Sequence, residues 1–341
     1  MNTIFVKKIC EYKFLVNKGE NQMNVIFMGT PEFAVPCLQM LLDSHHKVTA
    51  VFTQPDRPKG RGRQLTPPPV KILAQQHQIP IFQPVKIKDS DIVKQLQNLK
   101  PDVIVVVAYG QILSKEILEI PSYGCINVHA SLLPKYRGAA PIQWAIINGE
   151  TSTGITTMYM DIGLDTGDII FQKSIPITSD DTAGSLHDKL ANVGAEVLHN
   201  TLLQVEAGTA PRTKQQEEEA TYASILKKST GLINWNQSAL QIQNFIRGLS
   251  PWPSAYTYYK NNMMKIWDVK ITNKINENKN VPGQIINITE QEVEVQTGNG
   301  TLILKEVQLQ GKRRMTIQEF LRGNTIEINT VLGKNKHGST K

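Results

Sequence analysis

The sequence predicts an α/β protein, a doubly wound and mostly parallel sheet followed by a small antiparallel β-barrel. Three observations carry that prediction. Five short apolar runs alternate with amphipathic segments over the first part of the chain. Beyond Gly231 the pattern changes to short alternating strands separated by turn residues. The charge also divides: residues 225–341 hold 16 Lys/Arg against 8 Asp/Glu, or +8, whereas residues 23–224 hold 17 against 20, or −3. A chain of 341 residues is long enough for two domains, and this one reads as a slightly acidic body joined to a basic lobe suited to a polyanion.

The elements follow in order. Residues 1–22 carry Lys7, Lys8, Lys13 and Lys18 without arginine or a small-residue cleavage site, so they read as a dispensable extension before Met23, not as a targeting signal. Strands are expected over 25–28, 48–53, 79–82, 103–108 and 125–129, with amphipathic helices at 33–42 and 90–99. Near-continuous Val and Ile from 103 to 107 suit a parallel strand covered on both faces. Strands at 155–160 and 168–177 precede one long helical pattern from Thr182 to Gly208, with Asp180, Asp181 and Thr182 as capping candidates. The polar stretch after it, 208–227, reads as a linker between a domain at 23–207 and a basic domain at 228–333, with 334–341 as a tail. In that last domain, strands at 255–259, 264–271, 283–288, 292–296, 301–304 and 307–309 suggest an oligonucleotide-binding (OB) type barrel.

Composition excludes several classes. Hydrophobic residues are 40% and charged residues 20% of the chain, which is globular and neither collagen-like nor disordered. No apolar run is long enough to span a membrane. Cys10, Cys37 and Cys125 are too scattered for a disulfide framework or a zinc pattern, and no His with Cys, Asp or Glu has metal-site spacing. G-x-G-x-x-G is absent after Gly29, so a nicotinamide cofactor is not indicated. His45, His46, His77, His187, His199 and His337 are read as structural or solvated.

Ligands of doubly wound sheets bind at the carboxyl ends of the strands. The strand at 125–129 delivers Asn127 and His129 there, on one face because alternate residues of a strand point the same way. An amide donor beside an imidazole can hold an oxyanion and shuttle a proton, although a strand-end cap would use the same pair.

The run continues from His129 as Ala130-Ser131-Leu132-Leu133-Pro134-Lys135-Tyr136-Arg137-Gly138-Ala139-Ala140-Pro141, and Asp165 follows in Gly163-Leu164-Asp165-Thr166-Gly167-Asp168. Together these resemble the folate-dependent formyltransferases, a Rossmann-like family acting on purine-pathway, sugar-nucleotide or methionyl-tRNA acceptors. The resemblance implies Asn127, His129 and Asp165 as the catalytic set. It implies a folate site lined by Ser131, Leu132, Leu133 and Pro134, with Tyr109, Gln111 and Leu113 nearby.

Further stretches are similar to the methionyl-tRNA branch: 27–34, the loop 52–71 with Arg57, Lys59, Arg61 and Arg63, the segment 251–256, and Lys312-Arg313-Arg314. The likeness runs from Met23 to about Gly333 without a departure at a catalytic position. It implies formyl transfer from 10-formyltetrahydrofolate to the α-amino group of initiator methionyl-tRNA. No metal is expected from the spacing, a monomer is expected because no symmetric apolar surface shows, and the lysine-only extension favours the bacterial cytoplasm over the mitochondrial matrix. The basic residues just named would be the tRNA contacts. The amine attacks the formyl carbon directly, so the site needs an oxyanion hole, proton management and positioning. Asp165 would orient or charge His129, or hold a water that takes the amine proton. A sugar-nucleotide or purine-pathway acceptor leaves the arginine loop and basic lobe without a use. A non-catalytic RNA-binding protein leaves the three catalytic residues without one.

Overall fold

The computed structural model describes residues 22–59, 62, 64–272 and 280–333. Residues 1–21, the tip residues Arg61 and Arg63, and the tail from 334 lie outside the described residues.

Seven strands form the first sheet, in the order β10-β9-β7-β6-β1-β2-β5. They are β1 (Asn24–Gly29), β2 (Lys47–Phe52), β5 (Ile81–Phe82), β6 (Val103–Val107), β7 (Cys125–His129), β9 (Ser152–Tyr159) and β10 (Ile169–Pro176). The first five pair in parallel, while β9 runs antiparallel to both β7 and β10. Side-chain alternation explains why the central strands read as unbroken apolar runs. Val25 and Phe27 of β1, with Val103, Val105 and Val107 of β6, enter one core, and Ile26, Met28, Ile104 and Val106 enter the other.

The first core is closed by α1 (Val35–Asp43) and α6 (Ala183–Glu206); the second by α3 (Ser90–Asn98). Of the three expected caps, Thr182 is the N-cap of α6, paired with Ser185 in a capping box. Helices α2 (Pro69–Gln76), α4 (Lys115–Leu118) and α5 (Pro141–Ile147) complete this layer, as does a two-stranded hairpin of β3 (Arg57–Lys59) and β4 (Gln64–Thr66). The expected strand 79–82 shortens to Ile81–Phe82, because Pro80 contributes only its carbonyl to the sheet, accepting from the Val51 N–H.

The second sheet is antiparallel, in the order β12-β13-β16-β15-β14 with β17 on β16, and makes a small barrel-like domain. Its strands are β12 (Ala255–Tyr259), β13 (Asn262–Thr272), β14 (Ile285–Ile288), β15 (Val293–Gln296), β16 (Thr301–Leu309) and β17 (Met315–Thr316). The expected pair 301–304 and 307–309 is one strand, β16. At its polar Lys305-Glu306 step, Glu306 still pairs with Asp268 of β13 and the register shifts there, so the strand continues past it.

Two helices of this region were not expected: α7 (Ala239–Gly248) and α8 (Ile317–Gly323). Each starts on a capping box, Ser238 with Gln241 and Thr316 with Glu319. Helices α5 and α7 cross closely enough that a Cβ on Gly248 would meet the Gln143 carbonyl at 3.0 Å. Ala140, Trp144 and Ile147 thereby join the second domain's core.

Candidate active site

The site is built on the carboxyl end of β7. Ile126 and Val128 point into the first core, which leaves Asn127 and His129 on the other face, both buried. His129 Nε2 lies 2.9 Å from the Tyr136 carbonyl. A carbonyl only accepts, so Nε2 carries a hydrogen and Nδ1 is the nitrogen turned to Asp165, 3.7 Å from its Oδ2. Asn127 Nδ2 donates to the other Asp165 oxygen at 3.4 Å. The three residues that the sequence singled out thus meet around one carboxylate.

Asp165 sits on the turn between β9 and β10 with φ +55°, in the left-handed region. The turn is braced from several sides. Asp161 Oδ1 accepts from the Gly163 N–H and the Thr166 hydroxyl, and the Gly138 N–H donates to Asp165 Oδ2 at 2.8 Å. Gly138 itself lies in β8 (Arg137–Gly138), which pairs in parallel with β11 (Tyr222–Ala223). At φ +113°, with a hypothetical Cβ 2.9 Å from the Ala223 carbonyl, this position needs glycine.

Segment 208–227, expected as a plain linker, runs directly beside the site. Thr213 bridges Ile169, and Thr221 holds both Tyr136 and Arg137, accepting from the Tyr136 N–H through Oγ1 and from the Arg137 N–H through its carbonyl. Gln215 Nε2 donates to the carbonyls of Asp165 and Gly167, each at 2.8 Å. Gln215 Oε1 accepts from Arg137 Nε at 3.1 Å, and Arg137 Nη1 pairs with Glu217.

Arg137 is wholly buried. Sequence reasoning quoted it within the motif without giving it a role, and passed over Gln215. Arg137 carried no distinguishing signal, since Lys135, exposed in the structure, stands two residues before it in the same motif. Gln215 had none, since it stands beside Gln216 in a uniformly polar run.

The segments expected at the folate site are mostly inward. Ser131 is fully buried and its hydroxyl donates to the Lys135 carbonyl. Leu133 is buried, with its N–H on Thr156 Oγ1, while Leu132 and Pro134 are half-buried. Tyr109 and Leu113 belong to the second core; burial pushes the Tyr109 phenol up, and its hydroxyl has no hydrogen-bond partner. Gln111 accepts from the Ile87 N–H and donates to the Pro84 carbonyl.

Of the expected polyanion contacts, Arg57 is exposed on the β3–β4 hairpin, and its base is pinned by Asp56, which accepts from Lys71 and Gln83. Lys59 ends β3, but its side chain lies outside the described residues, as do Arg61 and Arg63. Lys312, Arg313 and Arg314 are exposed beside β17; Arg313 pairs with Glu319, and Arg314 pairs with Glu306 and lies over the Trp267 ring.

His45 and His46, read as structural or solvated, lie with Glu206 so that their ligand-type atoms are within 4.8 Å of one another, the sole such group among the described residues. Sequence spacing could not show it, because Glu206 comes from the far end of α6. A cleft of about 760 Å³ between α5 and α7, lined in part by Trp144, Glu150, Asn244 and Arg247, contains none of the three catalytic candidates.

Comparison with known proteins shows the family. Residues 23–202 match the family model described as formyl transferase, and residues 225–325 match formyl transferase, C-terminal domain. The methionyl-tRNA formyltransferase of Alkaliphilus oremlandii is 53% identical over 312 residues, covering 92% of this chain and all of that protein. That of Clostridioides difficile is 53% identical over 311 residues, covering 91% of this chain and 100% of its own. Among solved structures, the N-formyltransferase of Helicobacter canadensis in complex with folinic acid and dTDP-3-aminofucose aligns with a TM-score of 0.65 at 22% identity. The alignment covers 83% of this chain and 99% of that one, and it shows a shared fold.

Proposed function

The chain belongs to the formyl transferase family, in its methionyl-tRNA formyltransferase branch, and from that membership we propose that it transfers the formyl group of 10-formyltetrahydrofolate to the α-amino group of initiator methionyl-tRNA. The observation that carries the reading is the meeting of Asn127, His129 and Asp165 at the end of β7.

The reaction forms a bond from the amine nitrogen to the formyl carbon, breaks the bond from that carbon to N10, and moves one proton from the amine to N10. Asn127 Nδ2 supplies a donor for the oxyanion that develops on the formyl oxygen. His129, held by the Tyr136 carbonyl through Nε2, has Nδ1 left for the proton. Asp165 faces that nitrogen and stabilises the imidazolium formed when it takes the amine proton, which it then returns to N10. No protein nucleophile enters the scheme.

Residues 131–134, together with Tyr109, Gln111 and Leu113, are proposed to shape the folate side. Arg57, Lys59, Arg61 and Arg63 of the hairpin are proposed to meet the acceptor end of the tRNA, and Lys312, Arg313 and Arg314 its backbone. A catalytic unit at 23–207 and a basic unit at 228–333 are joined by the segment between them. A cytoplasmic location is proposed because the relatives are bacterial, and a monomer is proposed with it; among the described residues no helix is long and apolar enough to cross a membrane.

The test offers radiolabelled 10-formyltetrahydrofolate with methionyl-tRNA and a UDP-amino sugar in parallel. Label on the tRNA, abolished in His129→Ala, is the expected result. Label on the sugar alone would overturn the acceptor and leave the catalytic three in place.

A further inference from the structure

We propose that Gln215 is a positioning residue for the transfer, fixing the turn that aims Asp165 at His129 and Asn127, and that Arg137 and Glu217 in turn fix Gln215. The proposal rests on the reading of the site given above. The Asp165 carboxylate is only loosely held by its partners in chemistry, at 3.4 Å from Asn127 and 3.7 Å from His129. Its direction therefore depends on the Gly138 N–H, which donates to Oδ2 at 2.8 Å, and on its backbone, which is in the left-handed region that a non-glycine residue adopts at a cost. Something outside the turn has to hold it there.

Gln215 does so with unusual economy. Both amide hydrogens are used across the turn, on the carbonyls of residues 165 and 167, at 2.8 Å each. The amide oxygen accepts from Arg137 Nε, so this contact and the two carbonyls agree on which end of the amide faces the turn. Arg137 is itself fully buried and tied to Glu217 by two contacts of 2.8 and 2.9 Å. Within 211–219, Gln215 alone is not exposed. A glutamine that serves only solubility does not spend three hydrogen bonds inward from a surface strand of chain. Arg137 and Gly138 are neighbours, and the Gly138 N–H holds Asp165 Oδ2, so the backbone and the carboxylate of Asp165 are gripped from the same strand pair.

Gln215→Glu keeps the size and the acceptor for Arg137, but loses both donors and sets a carboxylate oxygen against two carbonyls. Gln215→Ala removes every contact. For both, kcat for formyl-methionyl-tRNA is expected to fall about 10- to 100-fold, as small misplacements of catalytic groups do, with both KM values within about threefold. Hydrogen exchange in the free full-length protein is read alongside; peptides covering 161–168 should exchange faster in the variants, while α6 and β6 stay unchanged. Should Gln215→Ala fail to fold, Gln215→Glu carries the test.

Wild-type kcat in a folded variant, a rise confined to KM, or lost kcat without faster exchange at 161–168 would each overturn the proposal. Exchange needs no acceptor. Faster exchange in the variants beside a wild type that never formylates methionyl-tRNA would therefore sink the assigned reaction and retain the brace.

Discussion

At the scale of single residues, Asn127 and His129 share one buried strand face, as their spacing predicts, and one substitution tests the role proposed for Asn127. Asn127→Ala removes one oxyanion donor and should cost about 2.7–4 kcal/mol in the barrier, a loss of kcat on the order of a hundredfold or more. KM for folate and tRNA should hold in steady-state assays, because the donor matters most once charge has developed. His46 gives a prediction of another kind. Burial, with His45 and His199 nearby, pushes its pKa down to about 4. Its unfolded value is about 6.5. The unfolded chain therefore binds the extra proton first, and stability is fully present above about pH 6.5 and lost as pH falls toward 4. After allowance for screening, the loss between pH 7 and 5 should be about 1 kcal/mol, and urea titrations should show it reduced in His46→Gln. What sequence could not show here is equally residue-sized: Gln215 and Glu206 meet Asp165 and His45 only through contacts far along the chain.

Among elements, those with a strong local code were legible and those set by tertiary contact were not. The strand at 125–129 was found to the residue. The long helix was found because its apolar period runs for 24 residues and its N-cap carries a capping box. Thr182→Ala should lower stability by about 1 kcal/mol in chemical denaturation without changing turnover. Helix α7 was missed because its first half, Ala239 to Gln243, mixes apolar and amide residues in a way that alternation explains as well as helical period. The β3–β4 hairpin was read only as a charged loop, yet residues 57–59 and 64–66 pair as strands and Asp56 at their base is tied to Lys71. Arg57→Ala combined with Arg61→Ala should raise KM for methionyl-tRNA about tenfold, at about 1.4 kcal/mol per factor of ten, and leave KM for folate alone.

For the molecule as a whole, the division of charge between an acidic body and a basic lobe was readable at once, since it requires only counting. It predicts that kcat/KM with methionyl-tRNA falls about a hundredfold between about 50 and 200 mM salt, if roughly four phosphates are engaged. A flat salt profile would mean that the basic lobe does not meet the acceptor. Counting could not reveal that the two domains share a core: Trp144 of α5 packs on the second domain while its Nε1–H donates to the Ser224 carbonyl.

The pairing of β8 with β11 also bears on how such proteins can be recombined. Because β11 and Gln215 belong in sequence to the connection but in space to the first domain, the seam between exchangeable modules does not fall where the long helix ends. A chimera joined just after Gly208 would import a foreign strand and a foreign glutamine into the host's catalytic turn. A junction after Ser224 would leave that turn with its native partners. Hybrids with a related enzyme's basic lobe should therefore work when grafted at the later junction and fail at the earlier one, even where both fold.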